Sequence, residues 1–411
     1  MEQFITIAAT FFIFISPVID AQTPISLENA YKKALENNLD LKTGKLHIDY
    51  QDRIKGSYAV IDPLRISGEV GQISSAYTDN KFSVEQTLRM PGFYKSQQKV
   101  LAAQQKNAVL SLEVQKWQLK REIALLYNEL NYQSEKEKLL LKADSLYVNY
   151  YRRAALRLKK GESNILEKTT AENYRSQARI QLENLKKDRE ISLYQFNYLL
   201  NDEVAYDIQP SGFYHSFPDE SQFSGCGSIP LQHLEEQKNI EKAKLNAEKS
   251  KLLPTISLTY NNASMFGNGA DNHFYGRSAR FHSGMIGVGI PFFNGAQKSV
   301  MEGQKIIILI AENNYEVAYK ILKNQYQVSF SAFEKLKNET DYYKTEGLKN
   351  AETILKTADR LYSEGEINYL EWSILVSQSL DIQNRFIDAQ KALNEKVIEL
   401  NHLTDSSLKT N

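Results

Sequence analysis

The six histidines stand at positions 47, 215, 233, 273, 282 and 402, and no two have the spacing of a helical or hairpin metal pair. The one cysteine, Cys226, lies between Gly225 and Gly227 with no second ligand nearby. A lone thiol closes no disulfide within the chain and makes a poor metal site. No Gly-x-Ser-x-Gly elbow, phosphate loop or His/Asp/Glu cluster points to hydrolysis or phosphoryl transfer. The expectation is therefore a non-enzyme with no cofactor and no resident metal. The polar residues that do form a pattern occur twice. Gly161-Glu162-Ser163-Asn164-Ile165-Leu166-Glu167 and Gly365-Glu366-Ile367-Asn368-Tyr369-Leu370-Glu371 share the motif G-E-x-N-x-L-E. After each final glutamate N-x-L returns at the same distance, as Asn197-Tyr198-Leu199 and Asn401-His402-Leu403. Matching spacing at both ends argues for a duplication with a period of about 200 residues.

The elements that must carry these motifs are long helices. Residues 92–209 and 292–411 contain no proline. The first stretch has no glycine between Gly92 and Gly161; the second has Gly295, Gly303, Gly347 and Gly365. Proline and glycine are the strongest helix breakers, so each stretch reads as a rod of roughly 100 Å that turns back at its glycine. Steps of seven and of four and three mark seams along the rods: Leu112, Leu119 and Leu126 with Ile123 and Leu130; Ala143, Tyr147, Tyr150 and Ala154; Ala311, Tyr315, Ala318 and Leu322.

Ahead of each rod the apolar period changes from 3.6 to 2. Residues 27–60 read as helix up to Pro63, then strands follow at about 64–74 and 81–90. Residues 231–252 read as helix up to Pro254, then strands at about 255–265 and 281–291. Leu64, Ile66 and Val70 alternate with Arg65, Ser67 and Glu69, and Ile286, Val288 and Ile290 alternate with glycines. Polar segments 75–80 and 267–280 separate the strands. The domain organisation is a first repeat over 22–201 with its tip at 161, a linker over 202–230, and a second repeat over 231–411 with its tip at 365. Residues 4–18 form the only strongly apolar run, too short for a membrane helix, so 1–21 read as a signal peptide. Lys plus Arg equals Asp plus Glu, 50 against 50, which gives no reason to invoke nucleic acid. An exported chain without a membrane helix can still enter a bilayer as a β-barrel. Four alternating strands cannot close one, since the smallest have eight, but three copies would supply twelve.

Helix, hairpin, very long helix and returning helix, duplicated, resembles the TolC-like outer-membrane efflux proteins over essentially the whole mature chain. Ser26-Leu27-Glu28-Asn29-Ala30 resembles the opening helix of that family, Leu253-Pro254-Thr255-Ile256 its entry into the second hairpin, and Ile290-Pro291-Phe292-Phe293-Asn294-Gly295 its exit. Gly71-Gln72-Ile73-Ser74-Ser75, Asp79-Asn80-Lys81-Phe82 and Gly365 through Trp372 are similar to the CzcC/CusC-type components that accompany heavy-metal pumps of the resistance-nodulation-division (RND) class. The resemblance implies a mainly α chain with a small transmembrane β part. It implies a homotrimer whose α-barrel crosses the periplasm beneath a 12-stranded β-barrel in outer-membrane lipid. It also implies a periplasmic membrane-fusion adaptor and an inner-membrane RND pump as partners, and passive export of metal cations.

The resemblance further implies that the tips dock the adaptor, through Arg157, Leu158, Gly161 and Glu162 and through Arg360, Leu361, Gly365 and Glu366. Glu371 stands where the family places an acid at the constricted entrance, and Glu167 is its counterpart; three copies would make a ring of like charge that attracts cations. An intrahelical pair on a solvated face is the competing reading, and for Glu167, beside Arg157 and Lys168, it weighs at least equally. Ile367 stands where a gate arginine would be and Ile374 where a second acid would be, so the family's closing network is not carried over. Phe82, Tyr260, Phe281, Phe292 and Phe293 suit interfacial girdles. Two alternatives stay open: export of drugs or secreted polypeptides, and a soluble periplasmic coiled-coil scaffold.

Overall fold

The computed structural model describes residues 23–209 and 227–404. The signal peptide expected at 1–21, Cys226 and the stretch of the expected linker from 210 to 226 lie outside these residues.

Each half runs helix, strand, strand, long helix, tip, helix. The first comprises α1 (Leu27–Asn37), α2 (Leu39–Ile54), β2 (Arg65–Gly71), β3 (Asp79–Arg89), α3 (Pro91–Lys159) and α4 (Ile165–Leu200). The second comprises α5 (Ile229–Ser250), β5 (Thr255–Ser264), β8 (Arg280–Gly289), α6 (Gly295–Tyr342), α7 (Leu348–Glu364) and α8 (Tyr369–Thr404). Helix α3 is unbroken for 69 residues and opens with Pro91 in its first turn, where a missing N–H costs nothing.

Three features depart from the expected outline. The single helix expected over 27–60 is broken at Asn38, whose Oδ1 accepts the N–H groups of Asp40 (3.0 Å) and Leu41 (3.2 Å) and so caps α2. Asn38 Nδ2 donates to the Leu199 carbonyl at 3.2 Å, which ties this corner to the end of α4. The second rod is interrupted by a π-helical turn, Tyr343–Gly347. Gly347 is needed there, because a Cβ would lie 2.9 Å from Tyr343 Cδ1. Finally, β1 (Thr23–Ile25) and β4 (Tyr206–Ile208) form a short parallel ladder, and β6 (Gly267–Asn268) and β7 (Phe274–Tyr275) form a small hairpin inside the segment read as a polar turn.

The interior lies between helices. Leu112, Leu119, Ile123 and Leu130 of α3 are buried with Ile25, Phe196 and Leu200; Leu126, also in the seam, is only partly covered. Tyr127 donates to the Gln209 carbonyl at 2.7 Å, and Arg189 grips Asp207 with two bonds of 2.7 and 2.8 Å, fastening β4 to the rods. On α6, Val300, Ile307, Ile310, Val317, Ile321 and Val328 stay exposed, a stripe at heptad-like spacing that no other described residue covers.

The four long strands form one antiparallel sheet in the order β2-β3-β5-β8. The β3–β5 pairing, from Lys81↔Ala263 to Arg89↔Thr255, joins the two halves edge to edge. Its alternation gives two unlike faces. Ile66, Val70, Phe82, Leu258, Tyr260, Ile286 and Val288 project from one face and all are exposed, Val70 at 77 %. The other face carries Arg65, Glu69, Lys81, Ser83, Glu85 and Asn261, with Ser83 donating to Asn261 Oδ1 at 2.7 Å. Among the described residues, strands β2 and β8 are the unpaired edges. No described helix is long and apolar enough to cross a membrane.

Candidate functional site

The two tips have the same backbone plan. Gly161 (φ +74°) and Gly365 (φ +79°) reverse the chain in the left-handed region that glycine tolerates. Behind them Glu162 N–H donates to the Arg157 carbonyl and Glu366 N–H to the Leu361 carbonyl, both at 2.9 Å. Asn164 and Asn368 then cap α4 and α8, their Oδ1 atoms accepting Glu167 N–H (3.1 Å) and Glu371 N–H (3.0 Å).

The two glutamates part company beyond the backbone. Glu371 Oε2 accepts the Asn368 N–H at 2.9 Å, completing a reciprocal capping box, and the side chain stays exposed without an ion pair among the described residues. Glu167 turns inward instead. Its Oε1 meets the Arg157 guanidinium at 3.2 Å and accepts the Tyr362 hydroxyl at 3.3 Å, while Oε2 accepts the Ser163 hydroxyl. Only 13 % of the Glu167 side chain is accessible. Ser163 explains part of the difference, since Ile367 occupies its place in the second tip and offers no hydroxyl. The Glu167 charge is thus spent on holding α3, α4 and α7 together. Arg157 also donates to the Glu162 carbonyl at 3.4 Å, so it works inside the tip. Glu162, Arg360 and Glu366 lie exposed beside the two glycines, with Leu158 and Leu361 half-buried.

Above the tips lies an aromatic hub that sequence reasoning missed as a unit. Trp372 is fully buried and stacks on Tyr150. Tyr147, Tyr362 and Tyr369 are buried around it with Ala154, Ala171 and Ala358, and Tyr174 packs against them. One carboxylate serves the hub: Asp359 accepts from Trp372 Nε1 (2.9 Å) and from the Tyr150 hydroxyl (2.8 Å). Burial, then the bond to Asp359, holds the Tyr150 phenol well above its usual range. Burial, with Tyr174 adding to it, pushes Tyr147 up to about 12. These phenols stay neutral, so the hub is an apolar clamp with one anion pinning α3 to α8. The signal available in sequence was the Tyr147/Tyr150 seam; nothing local marks Asp359 as its partner.

Nothing at the tips resembles a catalytic constellation, and among the described residues no three His, Cys, Asp or Glu side chains converge as a metal site. At the opposite end Phe82 (60 % exposed) and Tyr260 (49 %) project from the apolar face, and Phe292 (80 %) and Phe293 (97 %) stand exposed just past the sheet; Phe281 (41 %), expected with them, lies instead on the polar face, across from Ala263.

Residues 231–405 match the family profile described as outer membrane efflux protein. No curated protein matches the sequence significantly. Among solved structures, a membrane protein from Pseudomonas aeruginosa superposes with a TM-score of 0.77 at 17 % identity, covering 97 % of this chain and 99 % of its own. CusC superposes with a TM-score of 0.71 at 15 % identity, covering 93 % of each chain. The open state of the MtrE outer membrane channel from Neisseria gonorrhoeae gives 0.73 at 16 % identity, over 92 % of this chain and 88 % of that one. The fold is that of the TolC-like channels.

Proposed function

We propose that this TolC-like outer membrane efflux protein works as a homotrimer, forming the passive exit duct of a tripartite pump that expels heavy-metal cations. The observation that carries the reading is the four-stranded sheet at one end of the rods, with one apolar exposed face and two unpaired edges. Such a face is unfavourable in water, and open edges are excluded from lipid. Pairing β8 of one copy with β2 of the next satisfies both, because the alternation of directions leaves those edges antiparallel. Three copies of four strands give twelve. The uncovered stripe on α6 suits burial against a neighbouring copy along the helical part of the same wall.

In this assembly the tips hang at the periplasmic end. Exposed Glu162, Arg360 and Glu366, with Leu158 and Leu361 beside them, offer a mixed polar and apolar rim to a periplasmic membrane-fusion adaptor, which in turn couples to an inner-membrane RND pump. Arg157 shapes the rim from within, and Gly161 and Gly365 set its turns. Glu371 supplies the entrance charge, since its carboxylate is exposed. Glu167 contributes by bolting the first tip to Tyr362 of the second. No bond is made or broken in the cargo; its passage is driven by the pump.

Deletion of the encoding sequence from its host, followed by growth in graded concentrations of zinc, copper, cobalt and cadmium, tests the cargo. Sensitivity to one or more metals, restored by the intact sequence, supports it. Unchanged metal tolerance with new sensitivity to dyes or antibiotics would replace metal cations by organic cargo.

A further inference from the structure

The apolar face of the sheet ends in a polar row at the extracellular rim. Along β8 the outward residues run Val288, Ile286, Gly284, then His282 and Arg280. From Ile290, just past the strand, to Arg280 is ten residues, roughly 33 Å along a strand. At a barrel tilt of about 40° this spans roughly 25 Å of membrane depth, the usual height of the apolar band. Phe292 and Phe293 mark the lower boundary, and Arg280 stands level with the upper headgroups.

The row is pre-arranged. The Tyr260 hydroxyl lies 2.6 Å from His282 Nδ1, with Asn262 Nδ2 at 3.4 Å from the same nitrogen. With the Tyr260 hydroxyl donating to Nδ1, the imidazole N–H is on Nε2. Arg280 donates one N–H to Asn80 Oδ1 and retains its other donors. Arg277 adds a cation nearby, its guanidinium 5.2 Å above the Phe266 ring. The neighbouring acids are occupied. Asp79, only 1 % exposed, accepts from Ser74 N, Ser75 Oγ, Ser264 Oγ and Phe266 N. Asp271 accepts from the Tyr275 hydroxyl and His273 N.

We infer that Arg280 and His282 form a binding site for the phosphate of an outer-leaflet lipid of the lipid A type. An arginine fork beside an imidazole N–H suits phosphate oxygens. The apolar column directly below suits the acyl chains of the same molecule. The inference rests on the membrane-spanning reading of the sheet.

The test uses the trimer purified in a neutral detergent. Bound lipid is counted by native mass spectrometry during titration with bisphosphorylated lipid A, with its dephosphorylated form, and with inorganic phosphate. The wild type should bind lipid A at least about tenfold more tightly than the dephosphorylated form. Arg280→Gln, which keeps a donor for Asn80, should abolish that preference. His282→Ala should reduce it and serves if Arg280→Gln assembles poorly. Equal binding of the two lipids, an undiminished preference in both variants, or competition by millimolar inorganic phosphate would each overturn the site. Pore conductance recorded on the same preparation separates this outcome from failure of the duct itself: a conducting trimer without phosphate preference sinks only the lipid site.

Discussion

Replacing Glu371 by glutamine removes one charge per chain and little else. Glutamine makes the same reciprocal contact with a helix N-cap, so the bond from Asn368 N–H to this side chain survives and the fold should lose no more than about 0.5 kcal/mol. The electrostatic effect follows from Coulomb's law. For carboxylates roughly 8 Å from a pore axis in water, each stabilises a monovalent cation there by about 0.5 kcal/mol, and three by about 1.5 kcal/mol. A Debye length of about 10 Å in 0.1 M salt reduces the sum to roughly 0.7 kcal/mol. Cations are then enriched about threefold and anions depleted about threefold, a selectivity ratio on the order of 10. In 1 M salt the Debye length is about 3 Å and roughly 0.1 kcal/mol remains. The assay is the reversal potential of single trimers in a planar bilayer under a potassium chloride gradient, for wild type and Glu371→Gln, in dilute and concentrated salt. The wild type should prefer cations in dilute salt and the variant should not; in concentrated salt the two should converge. Identical reversal potentials for wild type and Glu371→Gln in dilute salt would refute the entrance role, and so would a difference that persists undiminished in 1 M salt.

Three further outcomes follow from the tips and the rods. Asp359→Ala leaves Trp372 Nε1 and the Tyr150 hydroxyl without their acceptor, which should destabilise the tip by about 2–4 kcal/mol and shift the emission of Trp372, one of the chain's two tryptophans, to the red; unchanged emission and midpoint in denaturant would contradict the clamp. Gly365→Ala meets no atom within 4 Å, so its cost should be backbone strain alone, about 1 kcal/mol in thermal unfolding, and Gly365→Asn should recover part of it. Burial, reinforced by Arg121, lowers the His402 pKa to about 3, so the unfolded chain takes up this proton first as pH falls; stability should hold above pH ~6.5 and decline below it by at most about 1.4 kcal/mol per pH unit per chain until pH ~3. His402→Phe, which keeps a ring against Trp117, should flatten that slope between pH 7 and 4.5, and an equally steep slope in the variant would contradict it.

Local signals made most of the outline legible. Exclusion of proline and glycine announced α3, and the change of apolar period after Pro63 and Pro254 placed the four long strands to within about three residues of their observed bounds. Gly161 and Gly365 located both tips. What depended on distant partners was not legible. Nothing local in residues 81–89 says that they pair with 255–263, a contact between halves that makes one sheet of two hairpins. The β1–β4 ladder is too short to leave a periodic trace. The motif repeat made Glu167 the counterpart of Glu371, and Arg157 nearby already favoured an ion pair for Glu167; the bonds to Ser163 and Tyr362 that complete its inward turn form only after folding. Asp359 likewise gains its meaning from Tyr150 on another helix. Gly347 was visible as an isolated glycine in the second rod, but a π turn there cannot be told from an ordinary helical glycine without its surroundings.

The most direct test of the whole account is the mass of the particle released from its detergent micelle in native mass spectrometry, after extraction from outer membranes. Three chains per particle, with none recovered in the aqueous fraction before detergent is added, is the predicted result. A single chain that stays in solution without detergent would mean that β2 and β8 never meet across copies, and the shared wall would not exist.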